Sequence, residues 1–349
     1  MKTQAQQARP TAEASATSWW RLPLTVKLLF IVACFVPPRF TPARVRADRR
    51  YRKLDQYRFA YAFLAVPLLF YVVFVISPFL QAFFYSMTDW TGFTSSFSFL
   101  GFDNFTKLFE DEKFTDSLKA SIILLVVAPV LTLSLGLFFA YMLTSGGRHR
   151  RGQAISGIFG AKFYKIVFFF PQVLSVAIIA VVWQQVLAGD GLLNGVLGAI
   201  GAGEPGWLGG DYNWALAAVL IVLCWSFTGF YIVLFSAAMG AIPKDIYEAA
   251  LLDGAGRSRT FFSITFPLTW DTIRTGWIYM GIQALDSFAI VLVMVPRHAL
   301  KVAPVYLYEK AFRDGQAGYA TAIGVVLFVI SMLFALIMMR IGRRERIEY

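Results

Sequence analysis

Six apolar runs dominate the chain, at residues 59–80, 120–144, 166–187, 214–239, 275–295 and 319–339. Each is long enough, at about 1.5 Å of helical rise per residue, to cross a hydrocarbon core of roughly 30 Å. The pattern predicts six transmembrane helices. Five of the runs carry no charge, and the one at 275–295 holds only Asp286. A shorter apolar stretch, 22–36, has Trp19 and Trp20 in front of it and is followed by Pro37, Pro38 and a cluster of basic residues. It reads as a helix lying among the headgroups; were it to span, the N-terminus would move outside. Residues 1–18, rich in Ala, Gln, Thr and Ser, read as disordered. Between the first two runs, Phe102, Phe105, Leu108 and Phe109 recur at helical spacing among polar residues. That predicts a short amphipathic helix, resting on the membrane or serving as a docking face.

Composition agrees with the pattern. Apolar residues make up 58% of the 349 positions and charged residues 15%, with a mean hydropathy of +0.61, which excludes a water-soluble globule. The two cysteines, Cys34 and Cys224, lie in apolar stretches, and His149 and His298 stand alone, so no disulfide framework or Cys/His metal cluster is expected. The net charge of +11 gains meaning from its placement. Twenty-one Lys and Arg residues fall at 39–58 just before the first run, between the second and third, between the fourth and fifth, and after the sixth; seven fall on the opposite side. Short basic loops stay in the cytoplasm, so both termini are expected there, and the excess marks topology rather than nucleic acid. The organisation expected is a basic N-terminal segment, 1–58, and a six-span membrane domain, 59–349.

The cytoplasmic segment 240–271 contains AIPKDIYEAALLDGAGRSRTFFSITFPL. Pro243 suits a first helical turn, and Asp245 and Glu248 favour the positive end of a helix. Gly254 permits a left-handed backbone that stops it, Ser258 can cap a second helix, and Pro267 ends or deflects that one. The reading is helix, break, helix: a compact knob bearing Ala249, Ala250 and Ala255, or a loop packing on its own bundle.

The same string resembles the EAA signature of the inner-membrane permease subunits of binding-protein-dependent ABC importers. Glu248, Ala249 and Ala250 are followed at the signature's spacing by Gly254, Ile264 and Pro267, and Asp253, Gly254 and Ala255 match the DGA of the carbohydrate branch. LGFDNFTKLF, Phe170-Pro171 and YLYEKAF followed by Gly318-Tyr319-Ala320 also resemble permeases of the maltose and glycerol-phosphate type. The chain departs from them after the fifth run, where Phe288-Ala289 and VMVPRHALKVAP replace an FD pair and a Gly-Gly-Pro loop, so no particular sugar is implied. The resemblance implies an all-α integral membrane protein of the type I importer permease fold in a bacterial inner membrane. It also implies that Glu248, Ala249, Ala250, Asp253, Gly254 and Ala255 form a coupling helix seated on a cytoplasmic ATPase. Glu248 then pairs with a basic residue there or caps its own helix.

The chain contains no Gly-Lys pair and therefore no phosphate-cradling loop. ATP and Mg are expected on a separate ABC ATPase dimer, with no cofactor on this chain, which is not expected to be an enzyme. A second permease subunit, in a heterodimer, and an extracellular solute-binding protein complete the partners the resemblance implies. An intramembrane carboxylate is costly and should face protein or water. Gln283, Asp286 and Ser287 stand at i, i+3 and i+4, one face of a helix, and Gln172, Ser226 and Phe230 are further candidates for a sugar path. Asp286 and Gln283 would otherwise hydrogen-bond between helices as structural glue. The competing function is an ion-coupled secondary transporter working through Asp286; a membrane hydrolase finds no cluster of His, Asp or Glu at a span end.

Overall fold

The computed structural model describes residues 58–94, 96–145, 158–209, 211–296 and 299–341. The segments 1–18 and 22–36 therefore lie outside the described residues, as do much of the loop before residue 158 and the last eight positions.

Among the described residues the regular structure is helical apart from one isolated antiparallel bridge, Thr88 with Phe99. It divides into two compact units, Met1–Leu80 and Gln81–Tyr349. In the first, α1 (Arg58–Tyr71) widens into a π segment, Val72–Ile76, before α2 (Ser77–Tyr85). The proline at 78 explains the widening: it has no N–H for the Phe74 carbonyl and its ring crowds that oxygen, so the Ser77 N–H closes on Val72 five residues back. The apolar side chains along Phe63–Leu80 are exposed, as lipid-facing or subunit-facing residues of a spanning helix are.

The second unit is built around α4 (Glu112–Ser145), which packs along α8 (Tyr212–Gly240) and α11 (Trp270–Leu285). Small residues set the closeness of these pairs. A Cβ on Gly136 would come within 2.6 Å of the Tyr231 Cβ, and one on Gly229 would strike the Phe168 carbonyl, which pins α8 to α5 (Ala161–Phe169). α14 (Ala317–Arg340) packs on α11 and on α13 (Ala303–Phe312), while α3 (Asp103–Glu110) covers the outer end of α14. On α3 the expected common face divides: Leu108 is fully buried, whereas Phe102 and Phe109 are exposed. Asn104 causes this by turning inward, where its amide donates to the Ser86 and Thr88 carbonyls at 2.9 and 2.8 Å.

Among the described residues five helices are long and apolar enough to cross a membrane, or six if a pair of helices bent by 99° is one span. The bend lies in the run expected to be one straight span. After α5 the chain tightens into a 3₁₀ turn, Phe170–Val173, extends through Leu174 and Ser175, and resumes as α6 (Val176–Val186). Pro171 lacks the donor needed to continue α5, and the extended backbone at Leu174 then turns the chain aside. The next helix, α7 (Leu192–Ala199), belongs to the loop that follows.

A candidate translocation cavity and a helical knob

Two irregular backbone stretches meet inside the bundle. One is the 3₁₀ turn carrying Pro171 and Gln172; the other separates α11 from α12 (Phe288–Met294), which packs on α6. Asp286 and Ser287 have ψ of 34° and 21°, so the helix stops at Leu285 and restarts at Phe288. The expected single helix face for Gln283, Asp286 and Ser287 is thus replaced by a helix end and a break. Between the two breaks lies a cavity of about 270 Å³, bordered also by α8. Non-helical backbone at membrane depth is tolerated where it lines such a cavity.

Gln172, Ser226, Gln283, Asp286 and Ser287 all line this cavity. Its apolar walls include Leu174, Ile179, Phe227, Phe288 and Ile290, and no Lys, Arg or His is among the described residues lining it. Phe230 is not in the wall: its ring packs on Tyr279 with centroids 5.8 Å apart, and Phe227, nearly one turn earlier, takes the place expected for it. Ser226 donates to the Val222 carbonyl at 2.7 Å, so its hydroxyl proton is already committed to its own helix. Ser287 is different. Its side chain is 3% exposed and its Oγ has no hydrogen-bond partner, one of three such buried atoms among the described residues. Leaving a buried hydroxyl unpaired is costly, and this one borders the cavity.

The cytoplasmic knob is equally specific. α9 (Lys244–Leu252) starts after Pro243, which occupies the cap position with ψ 135° rather than the first helical turn. Gly254 takes φ +72°, and the Ala255 N–H closes back on the Ala250 carbonyl at 2.9 Å, satisfying the helix end. The second helix, α10 (Arg257–Thr260), begins one residue ahead of the expected cap: Gly256 holds that position and Ser258 lies inside. A π segment, Phe261–Thr265, then precedes Phe266-Pro267, repeating the π-then-proline arrangement of the first span.

Of the residues expected at the ATPase, Glu248, Ala249, Asp253 and Gly254 are exposed, Ala255 is half-buried, and Ala250 is buried beside Tyr247. Leu252, absent from that expectation, is 90% exposed and shares a helical face with Asp245, Glu248 and Ala249. An apolar side chain at a helix end on the polar side of the membrane was the signal available for it. One tyrosine ties the knob to a span and another ties two parts of the knob together. Tyr141 on α4 donates to the Arg257 carbonyl at 2.8 Å, and the Tyr247 hydroxyl lies 3.2 Å from the Thr265 hydroxyl.

Residues 153–347 match the family model described as the inner membrane component of binding-protein-dependent transport systems. The chain belongs to this family. It is a multi-pass permease of the inner membrane, the membrane-spanning subunit of an ABC transporter whose ATPase is a separate chain, and no cofactor is expected on the permease itself. Family membership also decides against the ion-coupled alternative. The permease is 43% identical over 306 residues to the diacetylchitobiose uptake system permease protein NgcF of Streptomyces coelicolor, covering 85% of this chain and 86% of that protein. It is 31% identical to the multiple sugar-binding transport system permease protein MsmF of Streptococcus mutans, covering 84% of this chain and 98% of that one. Its fold is that of a chain in the crystal structure of a bacterial alginate ABC transporter bound to an alginate pentasaccharide-loaded periplasmic protein. The TM-score is 0.72 at 21% identity, covering 85% and 98% of the two chains.

Proposed function

We propose that this permease lines half of the path by which an ABC importer takes up a mono-, di- or oligosaccharide released by an extracellular solute-binding protein. The carrying observation is the convergence of Gln172, Ser226, Gln283, Asp286 and Ser287 on one cavity between two interrupted spans. Hydroxyl-rich ligands need such a mixture of donors and acceptors, with apolar walls against which ring faces lie. At about 270 Å³ the cavity is at or below the smallest pockets that enclose whole ligands, roughly 300 Å³, as suits a half-site completed by a second permease. That second subunit is a sister chain in a heterodimer.

The outward face of α9, with Glu248, Ala249, Leu252 and Asp253, seats in a cleft of the ATPase dimer. Closure of the ATPase reaches the spans through Tyr141 and Tyr247. The relatives' substrates make diacetylchitobiose the first sugar to test. Cells expressing the full system should accumulate labelled diacetylchitobiose or a related neutral oligosaccharide, lose uptake when ATP is depleted, and retain it when an uncoupler collapses the proton gradient with ATP maintained. Loss with the uncoupler alone would sink the proposal.

A further inference from the structure

The charge inventory of the cavity goes beyond its assignment as a sugar path. Resting on that assignment, we infer that this permease selects by substrate charge: it passes uncharged sugars, favours protonated amino sugars, and excludes uronates and other anionic sugars.

Three observations carry this. The cavity's one ionisable lining residue is Asp286, with no cationic side chain among the described residues around it. Asp286 is exposed, and none of the ion pairs found among the described residues involves it. The remaining polar side chains, Gln172, Ser226, Gln283 and Ser287, are uncharged, and the buried Ser287 hydroxyl has no partner of its own. A carboxylate accepts hydrogen bonds from sugar hydroxyls or from an ammonium group but has no proton to give a second carboxylate. A bound sugar would hold its carboxylate well inside the screening length of Asp286, so the two anions repel, which makes Asp286 an element acting against anionic competitors as well as for neutral ligands. Ser287 supplies what Asp286 cannot, a hydroxyl that both donates and accepts, suited to a ring hydroxyl or an acetamido group.

The test uses the whole complex in lipid nanodiscs without its binding protein, so that selection upstream does not intervene. Equilibrium binding is measured for three disaccharides of similar size: diacetylchitobiose, its deacetylated cationic form, and one with a terminal glucuronate. The wild-type complex should bind the neutral and cationic sugars and bind the glucuronate disaccharide at least tenfold more weakly. In Asp286→Asn the cationic preference should disappear and the penalty on the anion should fall below about threefold.

Binding of the anion within threefold of the neutral sugar by the wild-type complex would overturn the inference while leaving the sugar path standing. So would an unchanged penalty in Asp286→Asn. Failure of all three sugars to bind the wild type would instead remove the sugar path itself, and the inference with it. The wild-type comparison needs no variant to fold.

Discussion

The Asp111 carboxylate accepts a hydrogen bond from the Tyr306 hydroxyl at 2.6 Å, joining residues 195 positions apart. The same oxygen accepts from Tyr319 at 2.8 Å, and the other oxygen receives the backbone N–H groups of Lys113 and Phe114 at the start of α4. Lys310 lies over the rings of both tyrosines. One carboxylate thus fastens the outer ends of α4, α13 and α14. Partial burial works against the charged form, but the hydrogen bonds from Tyr306, Tyr319, Phe114 and Lys113 outweigh it and hold the carboxyl below its ordinary value.

Because the folded-state value is lowered, the stability this group contributes is present above the ordinary carboxylate range, near pH 3.9. It is lost as the pH falls through the lowered folded value. Asp111→Asn should therefore flatten the acid limb of a thermal-unfolding profile relative to wild type. Asp111→Ala should cost about 2–4 kcal/mol at neutral pH, from the lost helix cap and the orphaned tyrosine hydroxyls. An identical acid limb in Asp111→Asn and wild type would show that the latch carries no pH-linked stability.

Gly254 is placed to terminate α9 with φ +72°, and a Cβ there would meet open space rather than a neighbour. The effect of Gly254→Val is accordingly backbone strain of about 1–2 kcal/mol, not a clash. The strain should re-aim the knob and lower ATP-driven uptake severalfold while membrane insertion stays normal. Full uptake with the ATPase bound would contradict the coupling role of this loop.

Leu252 gives a cleaner separation of docking from folding. With its side chain 90% exposed, Leu252→Asp removes almost no buried surface and should leave thermal stability within about 0.5 kcal/mol. Co-purification of the ATPase should fall at least tenfold. Retained ATPase with lost stability would mean that Leu252 packs on its own subunit.

The arrangement of spans predicts the sidedness of exposed positions. Lys107 on α3 and Arg259 on α10 are both exposed. An impermeant thiol reagent applied to intact cells should modify Lys107→Cys and spare Arg259→Cys. The opposite pattern would invert the topology.

Hydropathy made the spans legible because lipid demands long apolar helices whatever their neighbours. It was blind to the two interruptions, since Leu174, Ser175, Asp286 and Ser287 break the backbone without ending the apolar run. The polar residues of the cavity stood out for the same reason the spans did: Gln283 and Asp286 are conspicuous against an apolar background. Phe230 was misplaced because an aromatic ring in a span faces a cavity or a neighbouring helix with no difference in sequence. The latch of Asp111 with Tyr306 and Tyr319 was out of reach, as no local pattern announces a hydrogen bond across most of the chain. Leu252 is no part of the signature, whose neighbouring alanines include Ala250, buried in the fold.

The central claim, that the cavity at Asp286 is the path of the transported sugar, is tested most directly by ATP-dependent uptake in proteoliposomes holding the complete transporter. Asp286→Leu removes the charge and the acceptors, and the complex should assemble yet lose nearly all uptake of labelled diacetylchitobiose. Asp286→Asn keeps one acceptor and should retain a measurable part of it. An Asp286→Leu complex that does not assemble, beside an Asp286→Asn complex with full uptake and unchanged substrate dependence, would make Asp286 interhelical glue and put the path elsewhere.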